Sequence, residues 1–149
     1  MKPKFTWSDA WVLAAVALGG GDKGAGLKEI IEAGDLINRA LLSPAQLRCG
    51  LGKLVHEGHV HASAGSYGVQ GDALLEARRV AYTNPTSYDL LQHFEDFLEA
   101  TPYDGTPGAD ADSPWALEEV TEENVAAARE AYRREYAALH REANDQKGG

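Results

Sequence analysis

Between Ser43 and Gln70 the spacing of apolar residues changes from helical to alternating. Leu47, Leu51, Leu54 and Val55 fall on one helical face, and Ser43 followed by Pro44 supplies a helix start. The spacing predicts a helix to about Glu57, stopped by Gly58 and followed by a hairpin. Its strands are His59 to Ser63 and Tyr67 to Gln70, with Ala64, Gly65 and Ser66 as the turn. Val60 and Ala62 are expected on one strand face, with His59 and His61 on the other.

Two helical patterns precede this segment. Trp7, Trp11, Ala14, Ala15 and Leu18 predict a first helix, capped by Thr6 or Ser8 and ended by Gly19, Gly20 and Gly21. Leu27, Ile30, Ile31, Gly34, Ile37 and Leu41 form a second stripe. Gly34 and Asp35 lie in its middle and could split it into two short helices, so one helix and two both remain open. Asn38 lies beside the stripe and is expected to bond to backbone.

The C-terminal half returns to helical spacing. Gly71 to Val80 reads as a short helix, and Thr86 to Glu99 as a firmer one with Leu90, Leu91, Phe94, Phe97 and Leu98 along one face. Residues 101–114 are rich in Pro, Gly and Asp and read as a long loop. Thr121 is expected to cap a last helix reaching about Ala143, with Val125, Ala128, Tyr132, Tyr136 and Leu139 as its apolar edge and Glu130 paired to Arg134. About 22 residues of helix span roughly 33 Å, more than a small domain needs, and suggest a dimerisation element. The expected fold is mainly α with a small β-hairpin wing.

The positions Pro44, Leu47, Leu51, Leu54, Val55, Gly58, Val60, Tyr67 and Val69, with two helices before them, resemble the recognition helix and wing of bacterial winged helix-turn-helix proteins. The resemblance covers about residues 1–70. It implies a winged helix-turn-helix domain over 1–75, followed by C-terminal helices over 76–149. It also implies a DNA-binding transcriptional regulator acting as a homodimer. The DNA-binding residues it implies are Gln46, Arg48, Lys53, His56, Ser66 and Tyr67, with Cys49, Gly52 and Ser63 nearby. Arg48 would pair with guanine or phosphate, Gln46 would read adenine, and Lys53 would serve phosphate.

Charge complicates that implication. The chain carries a formal charge of -9, whereas phosphate contacts draw their affinity from Lys and Arg. Residues 1–70 hold seven Lys or Arg against six acids, and residues 71–149 hold seven against seventeen. The nearly neutral half contains the hairpin, and the acidic half would repel DNA and attract a basic protein. A protein-interaction module built on a winged-helix scaffold is therefore the alternative.

Other signals lead to simpler structures. The longest apolar run, Trp11 to Leu18, is too short for a membrane span and lacks the flanks of a signal peptide, so a cytoplasmic protein is expected. One cysteine, Cys49, rules out an internal disulfide. Gly19 to Gly26 follows a helix rather than a strand and lacks the Gly-Lys-Ser/Thr of a P-loop. Cys49 and His56 lie seven residues apart on a helix, about 10.5 Å, too far to share one zinc; His59 and His61 could converge with His56 to give three ligands at most, and the simpler reading is polar residues beside the wing. Ser66 sits in a turn rather than a nucleophile elbow. Asp104, Asp110 and Asp112 lack calcium-loop spacing. Trp7, Trp11, Tyr132 and Tyr136 read as packing residues. No enzyme, cofactor or metal is expected.

Overall fold

A computed structural model describes residues 5–101 and 117–148, with side chains described as far as residue 141. Its elements are α1 (Trp7–Gly20), α2 (Leu27–Asn38), α3 (Pro44–His56), β1 (Val60–Ser63), β2 (Ser66–Val69), α4 (Gly71–Ala81), α5 (Ser87–Ala100) and α6 (Glu122–Gly148). The fold is mainly helical with one antiparallel hairpin. Residues 102–116, which hold most of the expected loop and the three aspartates Asp104, Asp110 and Asp112, lie outside the described residues.

Helix α1 is the centre of the molecule. Asp9 through Val16 are all buried, so the helix is enclosed all round instead of along the Trp7 and Leu18 stripe; those two are exposed. An apolar run without a polar face can be accommodated only in this way. Helices α2, α3 and α5 and strand β2 pack around it. Thr6 is its N-cap in a capping box with Asp9, and the helix runs through Gly19 and Gly20 before Gly21 turns it at φ 58°.

Helix α2 is continuous across Gly34 and Asp35. Glycine is needed there for space: a Cβ on Gly34 would stand 2.9 Å from Leu42 Cδ1 and 3.4 Å from the Trp11 indole nitrogen. That nitrogen donates to the Gly34 carbonyl at 3.0 Å, fixing α1 against α2. Arg39 closes the helix in the left-handed region at φ 52°. Asn38 is half-buried and its side chain makes no hydrogen bond among the described residues, contrary to the expected backbone bond.

Helix α3 begins at a capping box of Ser43 and Gln46, as the Ser-Pro start predicts. The hairpin pairs Val60 with Val69 and Ser63 with Ser66. Its alternation is incomplete, because Val60 is buried while Ala62 is exposed. Ala25, in the α1–α2 connection, exchanges backbone hydrogen bonds with Tyr67 at 2.7 and 2.8 Å and ties the hairpin to the body. His59 is buried just before β1 with its ring between Phe5 and Phe97.

One continuous core includes residues from Ala10 to Ala128, so α5 and the start of α6 share it with α1–α3. Thr121 caps α6 by accepting the Asn124 amide at 3.0 Å. The helix continues to Gly148, past the expected end at Ala143. Among the described residues no helix is long and apolar enough to cross a membrane.

Candidate functional site

The α3 side chains expected to face outward do not form one open surface. Lys53 is 1% exposed and its ammonium group is ion-paired with Asp9 of α1. It cannot serve a phosphate, because a long side chain that bends inward to a carboxylate has its charge neutralised inside the fold. Cys49 and Gly52 are buried as well. Gln46 is occupied by the helix start, its Oε1 accepting the Ser43 amide at 2.9 Å while its Nε2 donates to Ser8 at 3.2 Å. Arg48 is half-buried, its Nε has no hydrogen-bond partner among the described residues, and its carbonyl accepts the Leu117 amide at 3.3 Å.

At the wing, Tyr67 is also withdrawn from the surface. It is 1% exposed, and its hydroxyl donates to Glu119 at 3.3 Å. Burial, followed by the neighbouring Glu119 charge, pushes its phenol up to about 12. Ser66 is half-buried beside Gly24. His56 alone of the six expected DNA-binding residues is exposed, and it stands 3.2 Å from the Glu57 carboxylate. Helical spacing put Gln46, Arg48, Lys53 and His56 away from the apolar face of α3, and the resemblance alone implied a DNA-facing role for Ser66 and Tyr67; an enclosed α1 needs neighbours on every side, and α3 supplies several of these inward groups.

The convergent polar groups lie elsewhere, where α6 crosses the end of α2 and the connection to α3. A cleft of about 700 Å³ opens there. Its apolar wall includes Leu41, Pro44, Val125, Ala126, Tyr132 and Tyr136. Its charged groups are the guanidinium groups of Arg39, Arg129 and Arg133 with the carboxyls of Asp35, Glu122 and Glu130. A concave, largely apolar cleft with a few convergent polar groups is the usual form of a small-molecule site.

The charges in the cleft are unevenly matched. Asp35 accepts a hydrogen bond from the Tyr132 hydroxyl at 2.8 Å, and burial together with that bond pushes the Tyr132 phenol up to about 12. Glu130 accepts from Arg133 at 2.7 Å and from Arg134 at 3.0 Å, and these donors hold its carboxyl below the usual range. Arg129 Nη2 donates to the Leu42 carbonyl at 2.6 Å, and its buried Nε has no partner among the described residues. Arg39 is exposed and makes no ion pair among the described residues. Sequence reasoning missed Arg129 and Arg39; Arg129 follows Ala128 at the edge of the α6 stripe, but 87 residues separate it from Leu42.

Among the described residues no group of three or more His, Cys, Asp or Glu could hold a metal ion. Comparison with protein-family models, curated proteins and solved structures finds no match to this chain.

Proposed function

We propose that this chain is a winged-helix-type interaction module that docks to a second copy of itself through α6, and that it does not read duplex DNA through α3. The observation that carries the proposal is the apolar stripe of α6, which outruns its intramolecular partner. Val125 and Ala128 are buried and Tyr132 is half-buried, but Tyr136 is 55% and Leu139 58% exposed. Residues 133–141 are all exposed, so the stripe continues into solvent for more than two turns. A helical stripe without a cover is a docking element of the kind used in helix-in-groove and coiled-coil recognition.

The winged-helix part of the proposal is supported by the order of three helices and a hairpin, with the hairpin tied to the α1–α2 connection by Ala25 and Tyr67. Against DNA reading stand the burial of Lys53 and Tyr67 and the absence of Lys or Arg between His59 and Gln70. A protein that neutralises few phosphates gains little of the counterion-release term that dominates nucleic-acid affinity.

Sedimentation equilibrium tests the proposal. The full chain is expected to be a dimer at micromolar concentration, and Leu139→Glu a folded monomer. Fluorescence anisotropy with a random duplex at low salt is expected to detect no binding. A monomeric wild type would overturn the dimer, and salt-sensitive duplex binding lost in Arg48→Ala would restore DNA reading.

A further inference from the structure

We infer that the cleft between α6 and the α2–α3 connection binds a small amphiphilic organic monoanion, an apolar or aromatic body carrying one carboxylate, with Arg129 and Arg39 as its anchors. The inference shares Tyr136 with the proposed dimer stripe, but its anchors, Arg129 at the base of α6 and Arg39 at the end of α2, lie away from the exposed Leu139, so Leu139→Glu tests the dimer without touching them.

Arg129 is the first support. It is half-buried beside Leu41, Val125 and Tyr132, and among the described residues no carboxylate forms an ion pair with it. A desolvated cation is costly unless paired, and the backbone carbonyl of Leu42 offsets only part of that cost. The nearby acids are unavailable for identifiable reasons. Asp35 is engaged by Tyr132, and Glu130 by Arg133 and Arg134. Glu122 lies two turns back on the same helix, about 10.5 Å along the axis. The buried Nε of Arg129 has no acceptor among the described residues either, so within them its charge is met by one backbone carbonyl.

The second support is the character of the walls. Leu41 and Pro44 on one side face Tyr132 and Tyr136 on the other, with their ring centroids 6.3 Å apart. Aromatic and aliphatic walls take an apolar body, and a volume of about 700 Å³ is ample for one drug-sized molecule. Arg39, exposed and without an ion pair among the described residues, adds a second cation at the rim. The same walls limit the ligand's charge. Asp35, Glu122 and Glu130 border the cleft, so a dianion such as phosphate would meet like charges, while one carboxylate can lie on the guanidinium groups.

The test is isothermal titration calorimetry of the full chain with 2-naphthoate, with 2-naphthamide as the neutral isostere and inorganic phosphate as the inorganic anion. The expected result is one site per chain for naphthoate and at least tenfold weaker binding of the amide and of phosphate. Arg39→Gln, an exposed change that leaves the packing untouched, should weaken naphthoate severalfold, and Arg129→Gln at least tenfold with its fold verified by circular dichroism. Arg141→Gln, elsewhere on α6, should leave binding unchanged. No naphthoate binding at millimolar concentration, equal binding of acid and amide, or unchanged affinity in both arginine variants would overturn the inference.

Discussion

Lys53 reaches from the middle of α3 to Asp9 in the first turn of α1, and both ends of this ion pair are buried. Asp9 also accepts the Thr6 amide at 2.7 Å, so one carboxylate closes the start of α1 and holds α3 against it. Removing one member leaves the other charged in the interior. Lys53→Met is expected to cost about 3–5 kcal/mol in urea unfolding, and Asp9→Leu with Lys53→Met to recover most of it apart from about 1 kcal/mol for the lost cap. A loss below 1 kcal/mol in the single variant would mean that water reaches the pair.

Gly34 is expected to resist replacement although it lies in a helix. Alanine would gain about 1 kcal/mol in helix propensity, but its Cβ would crowd the fully buried Leu42 and the Trp11 indole, an overpacking that costs about 1–3 kcal/mol. Gly34→Ala should therefore be net destabilising in urea. Leu42→Val should relieve part of that loss, giving a favourable coupling in a double-mutant cycle.

His59 makes stability depend on pH. It is 6% exposed, its Nε2 lacks a hydrogen-bond partner among the described residues, and burial lowers its pKa despite Glu57 and Asp72 nearby. Below pH about 6.5 the unfolded chain binds a proton that the folded chain refuses, so stability is full above that pH and falls as the solution is acidified toward the folded value. Melting temperatures between pH 7.5 and 5 should decline, and His59→Phe should flatten this part of the profile.

Tyr67 and Tyr132 should titrate late. Burial is the first cause for both, and carboxylate partners reinforce it, raising each phenol to about 12. Absorbance at alkaline pH should show phenols still protonated above pH 11 while the fold persists, with one late-titrating group lost in each of Tyr67→Phe and Tyr132→Phe. The same shifts mean that the stabilisation is intact below about pH 10 and is lost as pH rises toward 12.

The helices and the hairpin were legible because their determinants are local. Ser43 and Pro44 start α3, Gly58 ends its run, and the Thr86 and Thr121 hydroxyls cap α5 and α6 through neighbours three residues away. The apolar stripe of α6 was equally readable, as was the Glu130–Arg134 pair within one turn. Burial around those helices was not. Period alone gives a helix an inside and an outside, but it does not say how many neighbours the helix will have.

Tertiary structure decided the rest, because the deciding contacts join residues far apart in the chain. The enclosed α1 drew Lys53 inward to Asp9 across 44 residues, and Tyr67 was drawn toward Glu119 across 52. Those two contacts withdraw Lys53 from the outer face that helical spacing gave it and Tyr67 from the DNA-facing role that the resemblance implied. The cleft likewise exists only where α6 returns to the α2–α3 connection, placing Arg129 at Leu42 and Tyr132 at Asp35. Sequence determined which segments form helix or hairpin through caps, turns and periodicity; packing determined which of their charged groups are neutralised inside and which are left facing a cleft.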